Sequence, residues 1–316
     1  MAFDLTQKKI LVTGAHGFLG KYLVRNLLEK RNVPQANLFL PTKEELDLRV
    51  LENCKKAVAG REAVFHLAAN IGGIGYLAEN PGDVFYSNVV MGAQLMEASR
   101  LAGVQKFLAV SSASAYPEST RVPFKEEDLW LGYPDKSTAA YGLSKRVLAV
   151  QGQAYFQQYG FKSVFLISTN LYGPDDNFDP KRSNVVASLI KKFVEAKKDN
   201  APFVEIWGTG KATREFLYAQ DAAEALVLAM EHYEKPDPVN VGRGVETPIK
   251  ELAELIAKLT AFKGEIRWDV SKPDGPLRRS LDVSKAKQEF GFEAKTSLQE
   301  GLEKTIAWYG KNNNMG

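Results

Sequence analysis

The chain predicts an α/β fold, a doubly wound parallel sheet with helices on both faces, followed by a smaller α/β lobe at the C-terminal end. Two observations carry this. From residue 8, short β-branched or apolar runs alternate with longer helical patterns, the order of a parallel sheet with covering helices. And a glycine-rich string, Gly14-Ala-His-Gly17-Phe-Leu-Gly20, falls between the first such run and the first helical one, where Rossmann-type folds turn the chain tightly.

The first strand is Lys9-Ile-Leu-Val-Thr13, and a helix is expected over 18–30. Asn37-Leu-Phe-Leu40 reads as the second strand and Ala63-Val-Phe65 with His66 as the third, before a helix over 84–102. Phe107-Leu-Ala-Val110 is the fourth, followed by a helix over 139–159, and Ser163-Val-Phe-Leu-Ile167 extends the sheet. Beyond Tyr172-Gly-Pro174 the composition shifts to a loop rich in Asp, Asn and Pro. Helices near 184–198, 219–233, 248–260 and 297–310, with strands near 203–207 and 238–241, are read as the lobe. The expected division is residues 1–172 for the Rossmann domain and 173–316 for the lobe, with some of the latter crossing back into the sheet. Lys311 to Gly316 reads as a loose tail.

Composition sets outer bounds. The 316 residues are 45% apolar and 25% charged, ordinary for a globular protein of one large domain or two unequal ones. Forty-one Lys and Arg against 38 Asp and Glu leave a formal charge of +3 without a long basic run. That argues against a nucleic-acid face and leaves room for small anionic ligands. The single cysteine, Cys54, excludes an internal disulfide and fits a reducing compartment. No apolar stretch approaches ~18 residues and no signal-peptide pattern opens the chain, so a cytoplasmic protein without a membrane partner is expected.

The glycines permit a tight turn and close approach of backbone to a pyrophosphate, while the following helix offers its N–H groups and positive end. Gly14, His16, Gly17, Phe18, Leu19 and Gly20 are therefore expected to hold a dinucleotide. An acid closing the second strand would favour NAD by binding the ribose 2′-hydroxyl. Here the strand runs into Pro41-Thr42-Lys43, so Lys43, helped by His16, points to NADP(H); the plain alternative is a solvated lysine beside Glu44 and Glu45. Asp47 and Leu48 are placed at the adenine edge, and Leu67, Ala68 and Ala69 along the groove at the carboxyl end of the third strand. His66 itself reads as structural. Ser111, Tyr141, Lys145, Thr169, Asn170 and Leu171 complete the expected cofactor set, and no metal is expected.

Ser112 through Tyr116, followed by Tyr141-Gly-Leu-Ser-Lys145, puts a hydroxyl, a phenol and an ammonium where a carbonyl can be reduced. On a helix, Tyr141 and Lys145 lie one turn apart on one face. A phenol titrates near ~10, and a fixed cation that favours the phenolate brings it toward the range of general acid catalysis. Taken alone, a Tyr and a Lys at this spacing belong to any amphipathic helix; the glycine turn upstream gives the pair its meaning. Ser112 is preferred over its neighbour Ser111 because it stands four residues before Tyr116.

The glycine turn, His66-Leu-Ala-Ala-Asn-Ile-Gly-Gly-Ile74, Tyr116-Pro117, Tyr141 to Lys145, Thr169-Asn-Leu-Tyr-Gly-Pro174, Trp207-Gly208, Arg214-Glu-Phe216 and Ser271-Lys-Pro-Asp-Gly275 together resemble the GDP-L-fucose synthase family of extended short-chain dehydrogenase/reductases, nearly end to end. That family inverts C3 and C5 of GDP-4-keto-6-deoxymannose and reduces C4 with a nicotinamide cofactor. The resemblance implies that Tyr141 protonates the C4 oxygen, that Lys145 tunes the phenol and binds the nicotinamide ribose, and that Ser112 hydrogen-bonds the carbonyl. It further implies substrate contacts from Ser112, Ser114, Asn170, Asn184, Lys192, Trp207, Arg214 and Asp274, and a homodimer formed by the helices over 84–102 and 139–159. Lys192 brings a point charge where the family has the bidentate fork of Arg; the plain alternatives are a solvated helix face for Lys192 and a lobe core for Trp207. Arg278 and Arg279 stand in reserve.

The chain departs from the family at two positions. Ser114 replaces a Cys and Asn184 a His that together serve the epimerisation, and neither replacement titrates near neutral pH as such chemistry requires. Cys54 belongs to the cofactor half, and the only histidines are His16, His66 and His232, the last expected on an exposed lobe helix. The expectation is a C4 reductase of a GDP-4-keto sugar, or the reverse dehydrogenase, without the double epimerisation. The alternatives are a full synthase in which Asp175, Asp176, Asp179 or a water chain stands in, an NAD-dependent nucleotide-sugar 4-epimerase, and a dinucleotide-binding sensor with no chemistry.

Overall fold

Strands buried on both faces need uninterrupted apolar runs, and the first half of the chain supplies them in sequence. In the computed structural model, which describes residues 2–180, 182–272 and 274–312, β1 (Ile10–Thr13) leads through the glycine turn into α1 (Phe18–Arg25), which continues as a wider π-type turn over Asn26–Lys30. Then come β2 (Leu38–Phe39), α2 (Leu51–Val58), β3 (Ala63–His66), α3 (Ile74–Glu79), α4 (Pro81–Leu101), β4 (Lys106–Ser112), α5 (Ala139–Tyr159), β5 (Ser163–Ser168) and β6 (Asn170–Tyr172). Proline in its first turn starts α4. Gly160, in the left-handed region at φ 65, ends α5 where the periodicity predicts.

The second half contains α6 (Val185–Lys198), β7 (Phe203–Trp207), β8 (Thr213–Tyr218), α7 (Ala219–His232), β9 (Val239–Val241), β10 (Glu246–Pro248), α8 (Ile249–Thr260), β11 (Glu265–Asp269), β12 (Arg278–Arg279), α9 (Ser284–Phe290) and α10 (Leu298–Asn312). The main sheet is parallel, in the order β2-β1-β3-β4-β5-β9. Its strand order reverses between β1 and β3, so the crevice beyond their carboxyl ends is where such folds take ligands. A second sheet, β10-β8-β12 with β6 beside β8, and a β7–β11 pair form the outer part.

Two elements beyond residue 172 join the first layer. Helix α7, rich in alanine, packs with α1 over one face of the main sheet, and β9 adds to the edge of β5. Apolar periodicity shows that a helix has a face to bury but not which layer receives it. His232 therefore ends a helix of the Rossmann layer, half-exposed beside Glu231. The opposite sheet face is covered by α2, α4 and α5, and a separate apolar cluster holds α6, α8 and α10 against β7 and β8. Pro273 and the tail from residue 313 lie outside the described residues.

The two layers are stitched at Glu215 on β8. It is fully buried and accepts hydrogen bonds from the N–H groups of Arg243 (2.6 Å), Gly244 (2.7 Å) and Leu281 (2.8 Å) and from Ser280 Oγ (3.2 Å). Burial raises its carboxyl above the usual range, and these donors pull the other way. Its backbone oxygen accepts from Thr169 Oγ1 (2.8 Å) and Asn170 Nδ2 (3.0 Å), tying the exit of β5 to the lobe.

Candidate active site

A cleft of about 890 Å³ runs along the carboxyl edge of the main sheet, from the glycine turn to the β8–β12 side of the lobe. At its inner end backbone lies against backbone. Gly14 has φ 71, and a Cβ there would sit 2.8 Å from the Ala68 nitrogen; a Cβ on Gly20 would sit 2.1 Å from the Gly14 oxygen. Helix α1 starts at Phe18 with no side-chain cap on its first N–H groups, which leaves them for an anionic ligand. His16, Phe18 and Leu19 line the cleft with Gly14, Gly17 and Gly20. Across the crevice Thr13 Oγ1 bonds His66 Nδ1 (2.9 Å) and accepts from the Ala68 N–H (3.2 Å), which fixes the line of Leu67, Ala68 and Ala69. His66 is buried, and burial followed by the Lys145 charge pulls it down to about 3, which favours the neutral ring.

Beyond β2, Lys43, Asp47 and Leu48 line the cleft, and His16 Nε2 contacts the Leu40 oxygen at 2.9 Å. Asp47 is paired with Arg49 (2.6 Å), whose hydrogen bonds hold its carboxyl down at about 2. Arg49 also lines the cleft, a cation the sequence reading passed over although it stands two residues beyond Asp47.

Ser112, at the end of β4, and Tyr141 and Lys145, on α5, face the middle of the same cleft with Ser111, Thr169, Asn170 and Leu171. Ser112 Oγ lies 3.1 Å from Ser114 Oγ and accepts the Ser114 N–H at 3.3 Å. Ser111 is buried, and its hydroxyl has no partner among the described residues. Lys145 Nζ lies 5.7 Å from the centre of the Tyr141 ring. The sequence predicts that this ammonium lowers the phenol. In the folded chain burial dominates instead, raising Tyr141 above its ordinary value and lowering Lys145 to about 8. The side chain thus keeps its proton at neutral pH, the form that a proton donor needs.

Toward the lobe, Ser114, Asn184 and Arg214 reach the cleft. Asn184 caps α6. Arg214 donates to the Thr213 and Pro276 oxygens (2.8 and 2.7 Å), and burial followed by the nearby Arg279 lowers it to about 10. Arg279, 3.6 Å from Asp135, joins it in the wall, whereas Arg278 turns out to Glu246 (2.5 Å). Arg182 and Asp176 also line the cleft; Arg182 stacks over Tyr76 at 4.7 Å.

Lys192, Trp207 and Asp274 are not part of this wall. Alternation along β7 puts Trp207 on the outward face, 65% exposed, so it is not a core residue either; Lys272 lies over its ring at 5.6 Å. Lys192 donates to the Glu205 oxygen (2.8 Å), and Asp274 accepts from Thr209 N (2.6 Å) and Oγ1 (2.7 Å). Among the described residues no cluster of His, Cys, Asp and Glu could hold a metal.

The profile of the NAD dependent epimerase/dehydratase family matches residues 10–242. The chain is 38% identical to a probable GDP-L-fucose synthase of Oryza sativa subsp. japonica, over 96% of this chain and 92% of that one. A GDP-6-OMe-4-keto-L-xylo-heptose reductase from C. jejuni superposes with a TM-score of 0.90 at 30% identity, covering 98% of this chain and 99% of its own. A GDP-mannoheptose C4 reductase from Campylobacter jejuni with NADP bound gives a TM-score of 0.86 at 29% identity, with 96% and 98% covered.

Proposed function

Because the chain belongs to the NAD-dependent epimerase/dehydratase family, we propose that it is an NADPH-dependent reductase acting on the C4 ketone of a GDP-linked sugar, with the paired inversion at C3 and C5 lost. One observation carries this: Ser112, Tyr141 and Lys145 converge midway along a cleft that has a glycine cradle at one end and the Arg214–Arg279 pair at the other. The relatives are GDP-sugar synthases and C4 reductases, one of them solved with NADP.

The cofactor is NADP(H). The cradle that a Cβ would fill fits its pyrophosphate, and Lys43 and Arg49 fit a 2′-phosphate by charge. Bound there, NADPH supplies the hydride. Tyr141, a phenol that carries its proton at neutral pH, gives it to the C4 oxygen, and Ser112 donates a hydrogen bond to the same atom as charge develops. Lys145 beside the phenol stabilises the phenolate left behind. Arg279, and Arg214 through the nitrogens left free by its Nη1 contacts to the Thr213 and Pro276 oxygens, offer cations to the diphosphate of the sugar nucleotide. The loss of inversion rests on the resemblance, in which Ser114 and Asn184 replace the Cys and His that serve the epimerisation, and neither replacement titrates near neutrality.

A homodimer through α4 and α5 is part of the reading. It is supported by their exposed Phe85, Tyr86, Leu101, Val150, Phe156 and Tyr159, and sedimentation at micromolar concentration checks it. A cytoplasmic location agrees with the buried free thiol of Cys54 and with the described residues containing no helix long and apolar enough to span a membrane. The deciding experiment supplies GDP-4-keto-6-deoxymannose and NADPH and examines the product by NMR. NADPH oxidised in step with a product unchanged at C3 and C5 is expected. Inversion at both carbons, or NADPH left unconsumed, defeats the reading.

A further inference from the structure

Asp176 is the acid that reduction leaves unused. Its turn is braced from the cofactor side, where Tyr22 donates to the Pro174 oxygen (2.9 Å) and Lys21 holds Asp175 (2.8 Å). Asp175 adopts the left-handed region at φ 68, and the two consecutive carboxyls diverge, Asp175 to Lys21 and Asp176 into the cleft. One Asp176 oxygen, Oδ1, accepts the Asn177 N–H at 2.7 Å. The other, Oδ2, is buried with no hydrogen-bond partner among the described residues. A buried carboxyl oxygen without a donor is costly and calls for an explanation.

The surroundings narrow that explanation. Lys21 is taken by Asp175, Arg182 by the Tyr76 face, and Arg214 by two backbone oxygens; Tyr141 and Lys145 share the cleft. Burial, partly offset by the Asn177 N–H, holds the Asp176 carboxyl up at about 7. A carboxyl moved toward neutrality, with one oxygen unpartnered and lining the same cleft as Tyr141 and Ser112, has what a base for an α-proton requires.

We propose that Asp176 exchanges the proton on one of the two carbons flanking the C4 ketone of the bound sugar, without inverting that carbon. This rests on the cleft being a GDP-4-keto-sugar site. The carboxylate removes the proton, and the C–H electron pair becomes the C=C bond of an enolate. Its O4 charge is held by hydrogen bonds from Tyr141 and Ser112. The carboxylic acid trades its proton with solvent and returns one to the same face. Nothing is oxidised or reduced, and the configuration is retained because Ser114 and Asn184 provide no titrating acid on another face.

The test loads the protein with NADP⁺, so that reduction cannot occur, and supplies GDP-4-keto-6-deoxymannose in deuterated water. Mass spectrometry should show one deuterium entering faster than in the protein-free control, at a rate that rises with pH through about 7 as the carboxylate forms. Asp176→Asn should lower the rate at least ~100-fold, the scale of general base catalysis, and Asp176→Glu should recover part of it. No enhancement by the wild-type protein overturns the proposal, as does an Asn variant that exchanges at the wild-type rate or an exchange accompanied by inversion. Should the Asn variant fail to fold, as judged by loss of NADP⁺ binding, the wild-type pH profile and the Glu variant decide. The assay contains no NADPH, so failed exchange leaves the reductase reading to its own test. A protein that exchanges but never consumes NADPH sinks that reading alone.

Discussion

The two ends of the cleft are built by different means. At the glycine turn, the backbone of the β1–α1 connection lies against that following β3, and shape is set by what cannot be present: a Cβ on Gly14 or Gly20 has nowhere to go. At the lobe end, the long side chains of Arg214 on β8, Arg279 on β12 and Arg182 converge, and shape is set by reach. Backbone-determined ground tolerates almost no substitution but is written locally in the sequence. Ground determined by reach tolerates more, and depends on which strand face turns inward.

The sharpest way to probe the contrast is Tyr141→Phe at the centre, which removes the proton donor and leaves the packing. It should lower kcat by ~10³-fold, within the range of general acid catalysis, with NADPH affinity kept; stopped-flow hydride transfer measures it. Next, Gly20→Ala forces a Cβ to 2.1 Å from the Gly14 oxygen. Overpacking of this kind costs ~1–3 kcal/mol, so thermal unfolding should shift down and NADPH titration weaken. Unchanged cofactor affinity in the Gly20→Ala variant would remove the distinction between the two ends. Third, Arg214→Ala should raise KM for the GDP-sugar ~10–100-fold, as expected for ~1.5–3 kcal/mol of hydrogen bonding by a charged group, with little change in KM for NADPH. The smallest effect belongs to Trp207→Ala. An exposed ring outside the cleft should change unfolding free energy by no more than ~0.5 kcal/mol, and a large loss would mean that the lobe surface is more tightly packed than its exposure indicates.

The same contrast explains what the sequence could tell. The runs at β1, β3, β4 and β5 were legible because a parallel strand buried on both faces is apolar throughout, and Tyr141 and Lys145 because one helical turn fixes their spacing. Strand β10 spans only Glu246–Pro248, too short for an alternation to emerge, and the eight residues of α2, Leu51–Val58, were passed over although buried Cys54, Ala57 and Val58 share one face. Helix α7 announced an apolar face without saying that α1 would cover it. Arg49 and Arg182 converge on the cleft only once the chain has folded, and Lys192, Trp207 and Asp274 lie outside it for the same reason. The phenol at Tyr141 shows the limit most clearly: the neighbouring ammonium is visible in the sequence, but the burial that outweighs it is not.

The route of the chain through β9 also bears on how the protein is made. The edge of β5 is finished by Val239–Val241, after the chain has left for the outer layer and returned through α7. On the ribosome, the nucleotide-binding sheet therefore keeps an open edge until Val241 has been synthesised, and α1 an uncovered flank until α7 has. An unpaired edge of this kind invites pairing with other chains. A fragment cut after Tyr172 should consequently aggregate rather than survive as a small dinucleotide-binding protein, and lobe exchange between relatives should succeed only when the α7–β9 segment stays with its original first half.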